Sequence, residues 1–261
     1  MPRLIVSLTT FPKAAPYAVG AVRSIMEGHL LPDKVVLYIT NAQFEEEKTP
    51  IPQELVDLAA TSSIFEIRDY PRDIRSYRKL VPALADFPDD IIVTIDDDVA
   101  YAPTMLQELM QMHSRFPKAI IAHRAKRIRP SLPYRKWPKY RWYDFLLHRY
   151  RPGFLNLQTG VGGVLYPPHS LREDMISEEL FTRLAPTADD IWFWAAATAA
   201  GTQVIPVPFG QNKPKGLGKP KELSLKTDNF KRKTDLNRRY FDAILAAYPE
   251  IKAQFTMHNS Q

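Results

Sequence analysis

The sequence has no cysteine among its 261 residues, which excludes disulfide staples, thiolate zinc sites and cysteine nucleophiles. That absence suits a reducing, cytoplasmic compartment, and a chain of this length can bury a core without staples. Long hydrophobic runs are missing too. Nothing approaches the roughly 20 apolar residues that a helix needs to cross a bilayer, so any membrane contact is expected to be peripheral, at the inner face of the cell membrane. The opening Met1-Pro2-Arg3 leads into Leu4-Ile5-Val6-Ser7-Leu8, an apolar run too short for a signal peptide and expected to be a first strand. There is no internal repeat and no domain linker, so residues 1–261 are expected to form one domain. Acids are in deficit: 29 Asp and Glu stand against 35 Lys and Arg, a net charge of +6. Acidic partners follow from that balance, namely nucleotides, anionic lipids, anionic glycans or nucleic acids.

What is present centres on Ile91-Ile92-Val93-Thr94-Ile95-Asp96-Asp97-Asp98. The apolar β-branched run reads as a buried strand, and three carboxylates cannot continue it into a core because unpaired charge is too costly to desolvate. The acids therefore fall at the strand's exposed end, where open α/β sheets bind ligands. Two readings of the triplet remain open on local physics: a site for a hard divalent cation, or a solvated acidic turn.

Strands are expected at Arg3–Leu8, Lys34–Ile39, Ile64–Arg68, Ile91–Ile95, Ile120–Ala122 and Gln203–Val207. Helices are expected at Pro16–Met26, Gln53–Ala60, Tyr77–Ala85, Met105–His113, Leu171–Phe181, from Asp189 to Ala200, and at Asp235–Tyr248, with a surface loop over Glu45–Pro52. Alternation of this kind predicts an α/β fold, a mostly parallel central sheet with helices on both faces. Arg75, Arg78 and Lys79 cluster where a helix starts, which fits either an anion there or a basic surface. From Arg124 to Phe154 basic residues alternate with aromatics, Trp137 and Trp142 among them; such a segment suits contact with sugar rings and phosphates of an acceptor. The Gly160 to Gly163 turn matches neither a dinucleotide nor a P-loop spacing. Asp189 and Asp190 open an otherwise apolar helix, one explained by capping and the other a candidate general base. The Lys-rich stretch from Asn212 to Arg239 is expected to order only against an anion or a partner.

Taken together, Thr9-Thr10-Phe11-Pro12, Lys79-Leu80, the strand into Asp96-Asp97-Asp98, the Gly160 to Gly163 turn and Asp189-Asp190 resemble, in order and spacing, the GT-A class of nucleotide-sugar glycosyltransferases, in particular family-2-like bacterial enzymes that build surface polysaccharides such as lipopolysaccharide. The resemblance covers roughly residues 3–207. It implies a single GT-A-like, Rossmann-like domain with a nucleotide-sugar-binding half (1–122), an acceptor-binding and catalytic half (123–211) and a basic loop with a C-terminal helix (212–261). It also implies transfer of a sugar from a nucleoside diphosphate donor, a UDP-sugar, to a glycan or lipid-linked saccharide, with Mn²⁺ or Mg²⁺ and with inversion. Asp96-Asp97-Asp98 corresponds to the DxD motif, with Asp98 as metal ligand and Asp96 near the ribose or the metal. Thr9, Thr10, Phe11, Lys79, Asp97, Gly162 and Gly163 fall to the donor, Asp190 to the base beside Asp189, and His258 to a further metal ligand. Where such enzymes often carry an Asp after the second strand, this chain has Tyr38-Ile39-Thr40-Asn41. Were transfer to proceed with retention, Asp190 would bind hydroxyl groups and not act as base. Two other classes share parts of the pattern. Haloacid-dehalogenase phosphotransferases place acids after a strand, but near the N-terminus; non-catalytic nucleic-acid-binding proteins share the basic aromatic segment.

Overall fold

The structure is a computed structural model that describes residues 2–210, 214–220, 223 and 235–257. In chain order the elements are β1 (Leu4–Thr9), α1 (Ala15–Met26), β2 (Lys34–Ile39), α2 (Asn41–Glu46), α3 (Gln53–Thr61), β3 (Phe65–Asp69), α4 (Val81–Asp86), β4 (Ile91–Thr94), β5 (Val99–Ala100), α5 (Met105–Arg115), β6 (Ile120–Ala122), β7 (Ala125–Arg127), α6 (Trp142–Leu146), β8 (Asn156–Gln158), β9 (Val164–Tyr166), α7 (Glu178–Leu184), α8 (Asp189–Ala199), β10 (Val204–Pro206), β11 (Lys215–Gly216), α9 (Leu236–Ala247) and α10 (Pro249–Met257). Seven strands form the central sheet in the order β10-β6-β9-β4-β1-β2-β3. All neighbours run parallel except β9, which is antiparallel to β4 and β6. The fold is therefore mixed α/β with a mostly parallel sheet, as the alternating pattern predicts.

Both faces of the sheet are covered, which is why its strands read as continuous apolar runs. Successive residues point to opposite faces. Val6, Leu8, Val35, Leu37 and Val93 pack with α1, α3 and α5, while Ile5, Val36, Tyr38 and Ile92 pack with α4, α8, α9 and α10. Each fully buried aliphatic side chain contributes about 1.5–3 kcal/mol. Helix α8 is apolar nearly all round and is accordingly buried along most of its length. Its two indoles still need partners: Trp192 donates to the Met175 carbonyl at 2.8 Å and Trp194 to the Phe154 carbonyl at 2.7 Å.

Several elements depart from the sequence expectations for local reasons. The expected loop at Glu45–Pro52 is preceded and partly replaced by α2, whose first N–H, on Asn41, is satisfied by Asp69 Oδ1 at 2.8 Å, an acceptor no local pattern reveals. The helix expected at Tyr77–Ala85 splits into a 3-10 turn over Arg75–Lys79 and α4, because Pro82 fits a helix's first turn and not its interior. After the Gly160–Gly162 turn, Gly163 takes φ +87° and redirects the chain into β9, a strand the glycine pattern concealed.

The basic aromatic segment is also structured. β7 pairs antiparallel with β8. Trp137 is buried, its N–H donating to the Leu132 carbonyl at 3.0 Å and its ring set edge-on to Phe241 at 5.0 Å. It cannot share an acceptor-facing surface with Trp142, which is 68% exposed. Aromatic side chains with this much apolar area are drawn into a core whenever their polar atom finds a partner there.

Candidate active site

Strand β1 pairs in parallel with both β2 and β4, so the sheet order reverses beside it. Ligand crevices of open α/β sheets lie outside the carboxyl ends of strands at such a point. Here a cavity of about 760 Å³ opens there, lined by Thr9, Thr10 and Phe11 after β1, by Asp96, Asp97 and Asp98 after β4, and by Lys79, Asp189 and Asp190. Residues more than 170 positions apart in sequence thus share one space.

Lys79 is the cation at its centre. Its ammonium, almost fully buried, lies 3.2 Å from Asp96 Oδ1 and 3.0 Å from Asp189 Oδ2. Burial opposes the charged form, but Asp189, Asp96 and Asp190 outweigh it and hold the lysine pKa well above its ordinary value. The backbone beneath is fixed by Ser7, whose hydroxyl donates to the Lys79 carbonyl at 2.6 Å. Neighbouring Arg78, also buried, does not line up as a free phosphate ligand. Its guanidinium donates to Thr9 Oγ1 at 2.7 Å, to the Thr10 carbonyl at 2.6 Å, to Gln43 at 3.1 Å and to Thr40 Oγ1, which ties the loop after β1 to the end of β2.

Asp190 is held by the Gly160 N–H, which donates to Oδ1 at 3.0 Å. Desolvation first, and then the charges of Asp189 and Asp96, push its carboxyl up to about 7 in spite of Lys79 and that hydrogen bond. A carboxylate titrating there can take a proton at neutral pH.

The acidic strand end meets a second cation. Lys219 lies 3.0 Å from Asp97 Oδ1 and 2.9 Å from Asp98 Oδ2, while Thr10 donates to Asp97 Oδ2 at 2.6 Å. Burial raises the Asp97 carboxyl, against the pull of Lys219 and Thr10. The lysine arrives on a strap: β11 pairs antiparallel with β5, the Leu217 N–H donates to the Asp98 carbonyl at 2.8 Å, and the Leu217 side chain fills the space that a Cβ on Gly20 would need. Residues 214–220 of the stretch expected to order only against an anion or partner are therefore seated on the protein's own acids.

Among the described residues no group of three His, Cys, Asp or Glu could hold a metal unaided. The donor set nevertheless suits one: Asp96 and Asp98 keep 28% and 27% of their side-chain surface exposed at the cavity, and Mg²⁺-like ions are commonly bound by one or two carboxylates plus substrate phosphates. His258 lies outside the described residues.

Gly162 and Gly163 are not among the cavity-lining residues. A Cβ on Gly162 would meet Arg124 and His123 at 3.1–3.2 Å, and one on Gly163 would meet Met105 Sδ at 3.1 Å. The glycine that faces the site is Gly160, where a Cβ would stand 2.6 Å from Lys79 Nζ, 3.2 Å from Asp96 Oδ1 and 3.4 Å from Asp190 Oδ1. Gly160→Ala is expected to displace the Lys79 ammonium and to destabilise the fold by about 1–3 kcal/mol; chemical denaturation checks it, and an unchanged midpoint would show that the lysine moves aside without loss. Arg124, Lys126 and Lys139 also line the cavity. Their place in a basic segment was visible, but not which of its cations turn inward.

No family model and no curated protein matches the sequence. Solved structures do share its fold. S. aureus TarS 1–349 in complex with UDP superposes with a TM-score of 0.53 at 11% identity, over 80% of this chain and 59% of that one. The mannosyltransferase PcManGT from Pyrobaculum calidifontis, in complex with GDP-Man and Mn²⁺, superposes with a TM-score of 0.54 at 15% identity, over 97% of this chain and 75% of that one. The chain thus spans less than two thirds of TarS 1–349. At these identities the likeness establishes the GT-A-like class of fold.

Proposed function

We propose that the chain is a nucleotide-sugar glycosyltransferase, moving a hexose from a nucleoside diphosphate donor, a UDP-sugar, to a glycan or lipid-linked saccharide with inversion. The observation that carries this reading is the placement of Asp190, with its carboxyl near 7, in the same cavity as Asp96-Asp97-Asp98. One group can deprotonate an acceptor hydroxyl, and the other stands where a donor diphosphate and its cation would be held. The structures of similar fold support it by their contents, UDP in one and GDP-Man with Mn²⁺ in the other.

In this reading Thr9, Thr10 and Phe11 receive the nucleoside, with Asp96 and Asp97 beside the ribose and the metal. Asp98, with Asp96, would hold Mn²⁺ or Mg²⁺ together with the phosphates of the donor. Bound there, the ion supplies Lewis-acid stabilisation of the departing diphosphate. Asp190 accepts the acceptor's proton as its oxygen attacks the anomeric carbon. Lys79 keeps Asp189 and Asp96 paired and limits how far burial raises Asp190. Residues 1–122 form the donor half and 123–211 the acceptor half. On the acceptor side Lys126 and Lys139 stand directly opposite each other across an antiparallel bridge, an arrangement unfavourable for like charges. Burial, then Lys139 and Arg124, pushes Lys126 down to about 8. An acceptor carrying phosphate, as a lipid-linked saccharide does, relieves that crowding.

Calorimetry tests the donor half. UDP is expected to bind more tightly with Mn²⁺ than with EDTA, Asp98→Asn to abolish the difference, and Lys219→Ala to strengthen Mn²⁺ binding by removing the ammonium that competes for Asp98. Equal UDP affinity with Mn²⁺ and with EDTA would remove the metal from this scheme.

A further inference from the structure

Among the described residues eight large apolar side chains are exposed, and five of them, Trp142, Tyr143, Leu146, Leu147 and Phe209, gather on and beside α6. They form one patch: the Trp142 and Tyr143 rings are 5.9 Å apart, and Phe209 stands edge-on to Phe145 of the same helix at 5.7 Å. Solubility does not favour such a cluster, and a contiguous exposed apolar patch marks a contact surface. The chain on either side of it is cationic. Arg135, Lys136, Arg141, Arg149 and Arg151 are all exposed in the same stretch. Asp144, the acid among residues 124–154, is buried, with Arg127 at 2.9 Å and the Arg141 N–H at 2.8 Å on its carboxylate. No negative charge from this segment is therefore presented outward.

We infer that α6 and its flanks form a docking surface for an anionic lipid bilayer, with Trp142, Leu146 and Leu147 entering the interface and the surrounding arginines and Lys136 resting on the headgroups. An apolar patch rimmed by cations combines the two contributions that hold a peripheral protein on such a surface: burial of apolar area, and attraction to the negative surface potential. Tryptophan is favoured there because its ring spans the apolar and wet layers. Neither a nucleic acid nor a second copy of this positively charged face fits as well. The first has no use for the two leucines, and the second would bring like charges together. No helix among the described residues is long and apolar enough to cross a membrane, so the contact is with the surface. The inference goes beyond the proposed activity, because the patch lies on the outer surface and requires no donor or acceptor chemistry.

The test uses flotation of the full chain with phosphatidylcholine vesicles, with and without phosphatidylglycerol. Binding is expected only with the anionic lipid and is expected to weaken as salt is raised. Trp142 supplies an internal reporter, since Trp137, Trp192 and Trp194 are buried; its emission should shift to the blue on binding. The double variant Trp142→Ser, Leu146→Ser should lose affinity by about tenfold or more while its melting temperature holds, both side chains being exposed. Arg149→Gln with Arg151→Gln should weaken the preference for anionic vesicles. Absence of flotation at low salt would overturn the inference. So would vesicle binding with no change in emission, or binding of a random oligonucleotide that the apolar double variant leaves intact while vesicles are ignored.

Discussion

Asp190→Asn is expected to retain nucleotide binding, to lose about 10²–10⁴-fold in transfer rate, and to melt at a higher temperature than the parent chain at pH 8. The two effects have one origin. In the folded chain the carboxyl is raised to about 7 from an ordinary value of 3.8. The folded state therefore binds this proton more tightly than the unfolded state, and stability falls as pH rises between those values. Above pH 7 the full cost of ionising a desolvated carboxylate beside Asp189 and Asp96 is present; below the ordinary value none is. Asparagine removes that cost and can still accept the Gly160 N–H. The difference in melting temperature should be largest at pH 8 and narrow at pH 5. Transfer by the parent chain should fall about tenfold per unit below pH 7, as the base becomes protonated. Scanning calorimetry and a pH profile of kcat/KM read both. Unchanged turnover in the variant would remove Asp190 as base, and a lower melting temperature at pH 8 would show that its ionised form anchors the fold.

Lys79→Met is expected to be the most damaging single change to stability, by about 3–5 kcal/mol at pH 8, because it strands partly buried carboxylates without their cation. Asp96, Asp189 and Asp190 would then face one another across the space the ammonium occupies. Without the lysine, which holds the raised Asp190 carboxyl down, the folded-state affinity of Asp190 for its proton rises further, so the loss should shrink as pH falls. Urea denaturation at pH 8 and pH 5 measures it. A loss below about 1 kcal/mol at pH 8, or one independent of pH, would mean that solvent already neutralises the cluster.

Much of the cavity was legible in sequence for a simple reason. Charged residues directly after apolar strands must lie at strand ends, and the alternating pattern brings those ends to one side of a parallel sheet. That places Asp96, Asp97 and Asp98 at a strand end, whereas Thr9, Thr10, Phe11, Lys79, Asp189 and Asp190 joined them only through the resemblance to GT-A enzymes; the cavity brings all nine together. The glycine turn was harder. Four residues with three glycines announce a close approach, but the facing one depends on the backbone path, and it is Gly160 that abuts Lys79 whereas Gly162 and Gly163 abut Arg124 and Met105. Trp137 and Trp142 stand in the same basic context and differ completely in burial, because α9 covers one and nothing among the described residues covers the other.

By itself the sequence determined the α/β class, the parallel strand runs and the strand ends that carry the acids. These follow from periodicity and the cost of burying charge, which are local. Only the tertiary structure decided that Lys79 is clasped by Asp96 and Asp189, that Lys219 is laid across Asp97 and Asp98, and that Asp190 titrates near neutrality. Those are properties of distance and dielectric between segments up to about a hundred residues or more apart, and no local pattern encodes them.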